Sequence, residues 1–386
     1  VDLTMKSIPW TVTTTVALCV LGPNTRATDW PAFRGPNGNG QTADVAPIHW
    51  SADENVVWKV ALPGASNGSP IVSAGRVFVT VPEDKLGQQR SLYCFDRATG
   101  ERRWVQTVEI DREMPHHPTN PHGSTTPASD GRRVVVWHAS AGLYCYDMDG
   151  QQHWSRDLGE FRHMWGYGSS PIILGERVIL HTGPGAQPLV LALDLATGDT
   201  LWQHEADQDG NGQRRDDEAP MGSWSTPIVA HTGGKDQLVV IHTKHVAAYD
   251  PESGEVIWTC EGVRHDRGDL AYSSAIVAGE LCFVTGGFKG PSMAIALDGR
   301  GDVTATHRRW RIEDNPQNIG TGVFVDGFIY RPNAEAGKGL DCLDPTTGEA
   351  VWSVRTPAAH WGSIAMADRL LYVTDQDGAT LVFRPN

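Results

Sequence analysis

The sharpest chemical spacing in the chain lies at 207–218. Asp207-x-Asp209-x-Asn211-Gly212 is followed, after five residues, by Glu218. Oxygen donors at alternate positions can wrap one hard cation while a glycine makes the bend, so the segment matches a calcium-loop template. Asp207, Asp209, Asn211 and Glu218 would give side-chain oxygens, and Gln213 its backbone carbonyl. Two features oppose the reading. The flanks, ending in Trp202 and resuming near Met221, read as strands rather than helices, and Arg214 and Arg215 place positive charge inside the loop.

A second set is polar and aromatic and spread along the chain. His122 is followed by His163, Trp165 and Tyr167, then by Trp224. His265 and Tyr272 come next, then Asn318, then His360 and Trp361. If the fold brings these segments to one place, they could bind a peptide, a glycan or a small molecule. They could equally cap and plug a channel with bound water. No Cys/His spacing suggests zinc, and no nucleophile elbow or phosphate-binding loop is present.

The elements that would position these residues are repeats. Cys94-Phe95-Asp96-Arg97-Ala98-Thr99-Gly100-Glu101 runs to Trp104, and the same pattern leads from Ala192 to Trp202, from Ala248 to Trp258 and from Cys342 to Trp352. A shortened copy ends at Trp154, a lengthened one at Trp310, and Asn55-Val56-Val57-Trp58 looks like the tail of another. The residue types describe a hairpin. A small residue ends one strand, Asp opens the turn by accepting backbone N–H groups, and Gly takes the positive φ. The next strand then delivers a Trp, whose large flat area suits a seam between sheets. Upstream of each hairpin, pairs such as Ser170-Pro171-Ile172-Ile173 and Arg177-Val178-Ile179 add two strands. Each unit therefore has four strands, and the Trp-to-Trp period of 42 to 56 residues is that of a propeller blade. After Trp352 only three strands remain. Pairing Asn55–Val60 with the C-terminal strands would close a ring of seven blades, whereas an eight-bladed ring lacking its C-terminal blade is the alternative.

The pattern Ala-x-Asp-x-x-Thr-Gly-Glu-x-x-Trp resembles the tryptophan-docking motif of PQQ-repeat β-propellers (PQQ is pyrroloquinoline quinone). WD40 repeats fit worse, because none of the seven repeat Trp residues is followed by Asp. The opening Asp29-Trp30-Pro31-Ala32-Phe33-Arg34-Gly35-Pro36 is similar to the start of exported bacterial PQQ-binding-like propeller proteins, a group similar to the propeller subunit of the outer-membrane β-barrel assembly machinery. The resemblance covers roughly residues 53–386 and implies an all-β, extracytoplasmic propeller. In the quinoprotein dehydrogenases that share the repeat, PQQ lies between a Trp and a disulfide of adjacent cysteines, with calcium and an Asp base. This chain has six Cys and no adjacent pair. PQQ is therefore not expected, and a small quinoprotein oxidoreductase is the alternative to a non-enzymatic binding or scaffold protein. Cys94, Cys145 and Cys342 occupy the small-residue slot of three repeats and read as packing; Cys260 and Cys282, within one unit, could form a bridge.

The remaining bounds come from composition and the N-terminus. A net charge of −14, with no long basic run, argues against a nucleic-acid or anionic-membrane surface. Met5-Lys6 before an apolar stretch from Ile8 to Leu21 reads as an export signal or a disordered segment over 1–27. Cys19 follows the bulky Leu18, a weak match to a lipid-anchor site. Residues 28–52 are then an N-terminal extension and 53–386 one propeller domain. The expected partner is an envelope protein, a peptide or a glycan, and a monomer is expected.

Overall fold

A computed structural model describes residues 28–206 and 210–386. It is all-β apart from one 3-10 turn, Ala139–Ala141, among the described residues. Six sheets follow one another in the chain, over 71–109, 128–156, 172–205, 228–261, 276–312 and 323–354, each with four antiparallel strands. A seventh joins Ala365–Ala367, Leu370–Thr374 and Thr380–Phe383 to Gln41–Thr42. The lengthened repeat has a simple cause. Its extra residues carry Gly301–Asp302 back to the outer edge of the fourth sheet, where they pair in parallel with Trp258 and Thr259. The fold is a β-propeller.

The repeated hairpin forms as its residue types require. Asp96 Oδ1 accepts the N–H groups of Ala98 and Thr99 at 2.9 and 3.1 Å, and Asp194 and Asp250 do the same in their turns. Arg103 adds a 2.6 Å contact to Asp96, and these donors hold its carboxyl at a pKa of about 2. The small residue sits directly across the hairpin from the Trp: Cys94 opposite Trp104, Cys145 opposite Trp154, Ala192 opposite Trp202, Cys342 opposite Trp352. A bulge follows at that same position in every copy, adding twist where the indole turns outward.

Most of the repeat Trp residues dock directly on the turn of the following sheet, whereas Trp258 reaches it through Gln237 and Trp352 donates to Asn386 O. Trp104 Nε1 donates to Met148 O at 2.9 Å, Trp154 to Leu195 O at 3.0 Å and Trp310 to Pro345 O at 2.9 Å. The motif glycine makes room for this. A Cβ on Gly198 would lie 2.7 Å from the Trp154 ring and one on Gly254 2.7 Å from Trp202, so glycine serves both the positive φ and the close approach. The hydrophobic core is accordingly divided among the seams. One buried cluster joins Val135 and Leu143 to Val178 and Leu191, and another joins Val239 and Trp258 to Val284 and Ile295.

A second tie runs around the inner wall. The N–H of Ser69 donates to Thr126 Oγ1 at 3.0 Å, Thr126 to Ser170 Oγ at 2.9 Å, and Ser170 to Thr226 Oγ1 at 3.1 Å. The ladder continues from Thr226 to Ser274, Thr321 and Ser363, each link 3.0 Å. It links, in chain order, the segments that lead into Ile71, Ala128, Ile172, Ile228, Ile276, Val323 and Ala365.

The expected closing strand is corrected. Asn55–Val60 forms no strand; Asn55 has a φ of 57° and Val57 is 85% exposed, so the segment presents its apolar side chains to solvent. Only Trp58 behaves as its repeat position implies, donating to Arg97 O at 2.9 Å above Gly100. The strand in the last sheet is Gln41–Thr42, which lies parallel to Met366–Ala367 on the inner edge, not the outer one. The N-terminal segment crosses the channel to get there. Trp30 pairs with Val72 of the first sheet, and Pro31 O accepts the N–H of Ser129 of the second. Arg34 then donates to Gly322 O at 2.6 Å and to Ile364 O, joining the sixth and seventh sheets.

Candidate functional site

In each unit the first strand runs away from one face and the second returns to it. The loops before first strands and the turns between second and third strands therefore share a face, opposite the Asp–Gly turns. On that face a cavity of about 970 Å³ opens. Trp30, Phe33 and Arg34 of the crossing segment line its base. Hydroxyls of the inner ladder, including Thr126, Ser170 and Thr321, line the wall. Asn67, Asn120, Gln317 and Gln376 line it nearer the loops.

One side is aromatic. Trp165, Trp224 and Tyr272 come from three successive loops, and Phe288 from the second-to-third-strand turn of the fifth sheet. Trp165 lies 5.9 Å from Trp224 and 5.6 Å from Phe288 between ring centroids, and Trp224 lies 5.4 Å from Tyr272. Trp361 lines the cavity from the loop before the last sheet. Two indoles are fixed by hydrogen bonds: Trp224 Nε1 to Gly166 O at 3.0 Å and Trp361 Nε1 to Ala334 O at 3.2 Å. Nearby, Met221–Ser223 and Asp269–Ala271 form a parallel ribbon between two loops, and buried Asp269 accepts from Arg215 at 2.8 Å.

Of the ten residues expected on this face, Trp165, Trp224, Tyr272 and Trp361 line the cavity. The other six are buried behind it and brace the loops. His163 Nε2 donates to Met221 O at 2.9 Å, and its Nδ1 accepts the N–H of Trp165 at 3.1 Å, which sets the ring that carries Trp165. Burial lowers its pKa to about 4. The His122 ring lies 4.3 Å from that of His116 between centroids, tilted by 54°, and its pKa is likewise lowered to about 4, by burial and then by the Arg90 cation. Tyr167 donates its hydroxyl to His122 O and lies under the Arg90 guanidinium. His265 meets Glu313 and Asp314 at 3.6 and 3.7 Å, and Asn318 donates to Gly320 O and Pro332 O. His360 bonds Thr356 Oγ1 at 3.0 Å. Sequence reasoning missed Phe288 and Gln376 because it considered only the loops before first strands. It missed Trp30, Phe33 and Arg34 because no repeat marks them, although they stand in the Trp-Pro-x-Phe-Arg-Gly-Pro run.

Of the calcium-loop residues, Asn211, Gln213 and Glu218 are described. Asp207 and Asp209 lie outside the described residues. Asn211 Oδ1 accepts the N–H groups of Gln213 and Arg214, and Gln213 O accepts that of Met221. Glu218 O accepts from Arg214 Nη1 at 2.7 Å. Among the described residues no cluster of three His, Cys, Asp or Glu could hold a metal. Cys260 and Cys282 are free, buried thiols, raised by burial to about 11 and about 12, so the conceivable bridge between them is absent.

Fold and site together define a PQQ-type β-propeller with an aromatic, amide-lined funnel. Residues 46–108 and 88–331 match the family described as outer membrane protein assembly factor BamB, and the chain belongs to that family. No curated protein sequence matches the chain. Among solved structures it is similar to BamB from Moraxella catarrhalis, with 16% identity over 86% of this chain and 89% of that one and a TM-score of 0.63. It is similar in fold to quinohemoprotein alcohol dehydrogenase from Comamonas testosteroni, with 13% identity over 92% of this chain and 71% of that one and a TM-score of 0.63.

The funnel does not fit the cofactor of those dehydrogenases. PQQ carries several carboxylates and needs cations around it. The cavity is lined by one, Arg34, whose Nη atoms already donate to backbone carbonyls. No Asp, Glu or Cys is among the lining residues, so there is neither a carboxylate to hold calcium and act as base nor a sulfur to stack on the quinone.

Proposed function

We propose that the protein is an exported, extracytoplasmic binding or scaffold propeller that acts through its loop-face funnel in envelope assembly, without chemistry of its own. The observation that carries the reading is the lining of the funnel. It combines aromatic faces with amides and hydroxyls; no carboxylate, lysine or thiol lines it, and its one imidazole, His117, has its Nδ1 bonded to Thr119 Oγ1 at 2.7 Å. Membership of the BamB family supports the envelope setting, as does the apolar stretch from Ile8 to Leu21.

Affinity capture from an envelope extract tests this. The wild-type chain should retain a partner that a Trp165→Ala, Trp361→Ala double variant releases. In parallel, the chain mixed with PQQ and calcium should show no bound quinone absorbance and no dye-linked oxidation of alcohols or sugars. Turnover in that assay would replace the scaffold reading with an oxidoreductase.

A further inference from the structure

We infer that the funnel's ligand is a neutral oligosaccharide, held by stacking on the Trp165–Trp224–Tyr272 wall and by hydrogen bonds to amide and hydroxyl groups. This rests on the binding reading above and names the class of ligand.

The first argument is charge. No carboxylate or lysine lines the cavity, and its single arginine, Arg34, is capped by the carbonyls of Asn39, Gly322 and Ile364. A cationic ligand would lose its hydration and gain no counter-charge, and an anionic one would find the Nη donors of Arg34 already taken by carbonyls.

The second is the pattern of unused polar atoms. Among the described residues, the Trp165 indole N–H, the Tyr272 hydroxyl and the side-chain amides of Gln317 and Gln376 make no hydrogen bond. The amides and the hydroxyl both donate and accept. Sugar hydroxyls do the same, so the two sets can satisfy each other in either direction. The wall adds further donors. Thr126, Ser170, Ser274 and Thr321 each accept one backbone N–H, and each hydroxyl hydrogen still lacks a protein acceptor.

The third is shape. A sugar ring carries an apolar C–H face beside its polar rim and needs a flat apolar plate next to polar groups. Trp224 and Trp361, with their N–H groups tied to the backbone, are plates fixed in orientation. At about 970 Å³ the cavity is at the upper end of the ~300–1,000 Å³ range of small-molecule sites, room for more than one ring. A peptide strand is less well served. It would need free backbone groups, yet the inner-wall N–H groups from Ser69 to Thr321 are already donated to neighbouring hydroxyls.

The test is calorimetric titration of the full chain with chitotetraose, cellotetraose and maltotetraose, and with a synthetic peptide of alternating apolar and polar residues. At least one tetrasaccharide should bind, and Trp165→Ala and Gln376→Ala should each weaken it roughly tenfold or more with the melting temperature unchanged. Tyr272→Phe, which keeps the ring, should weaken it less than Trp165→Ala. Binding of none of the three sugars, or binding indifferent to Trp165→Ala, overturns the inference. So does tighter binding of tetragalacturonate, titrated alongside as the acidic counterpart, than of the neutral sugars. If only the peptide binds, and through Trp165, the glycan is wrong while the binding face stands. If nothing binds and envelope capture is also empty, the binding reading falls with it.

Discussion

The rim and the funnel of this propeller are built on opposite rules. On the rim the same contact recurs from sheet to sheet: an indole N–H on a turn carbonyl, a glycine under the ring, a small residue across the hairpin. In the funnel no two loops are alike, and side chains from the N-terminal segment, the inter-sheet loops and the strand turns meet only in space. Repetition is what a seam needs, because each sheet must present the same face to its neighbour. Recognition needs the reverse, a set of groups that differ around the wall. The comparison assigns stability to the rim and specificity to the funnel, and each assignment can be broken separately.

The largest effect is expected at the rim. Trp258 is fully buried, and its indole donates to Gln237 Oε1 at 2.8 Å, while Gln237 in turn donates to Leu297 O at 3.0 Å. Trp258→Ala should destabilise the chain by about 3–5 kcal/mol, read by denaturant unfolding, through the cavity it leaves and the orphaned Gln237. A loss below about 1 kcal/mol would show that Trp258 and its Gln237 link do not hold this seam.

Acid should act on the buried histidines. Burial lowers His163 and His181 to about 4 and His138 to about 3, all from 6.5. Their folded pKa values lie below the unfolded one, so between pH 6.5 and about 4 the unfolded chain binds more protons. Stability should therefore be complete above pH 6.5 and fall as pH drops through that window, by up to ~1.4 kcal/mol per histidine per pH unit. Thermal melting from pH 7.5 to 4.5 checks the sign; a flat profile would mean that these rings are solvated.

The crossing segment lies between the two regions. Arg34 is buried without a carboxylate, which lowers its pKa to about 9, and it joins the last two sheets beneath the funnel. Arg34→Ala should cost about 2 kcal/mol by leaving carbonyls unpaired. Unchanged or increased stability would show that this segment does not close the ring.

How much was readable follows the same division. The rim was legible because Asp, Gly and Trp each answer a fixed geometric demand: N–H groups to accept, a positive φ to adopt, a seam to fill. Glycine's second role, clearance for the previous sheet's indole, is a contact between units and has no local mark. The closing strand misled because Asn55-Val56-Val57-Trp58 carries the correct tryptophan, whereas Gln41–Thr42 is two residues long and has no alternation to detect. In the funnel, residue type gave the aromatics, but His122, His163, His265 and His360 lie behind the lining, in which His117 stands instead. His163 and His360 are chemically fit to meet a ligand, and only the packing shows that both rings are buried with Nε2 of each bonded to a loop partner.

The most direct test sets the two regions against each other in one variant. Trp165 projects into the funnel with its indole N–H uncommitted, and no seam depends on it. Trp165→Ala should melt within about 1 kcal/mol of the wild type, as substitutions away from the core do, and should lose the partner retained in envelope capture. A variant that captures like the wild type, or that unfolds as readily as Trp258→Ala, would contradict the division of labour between funnel and rim.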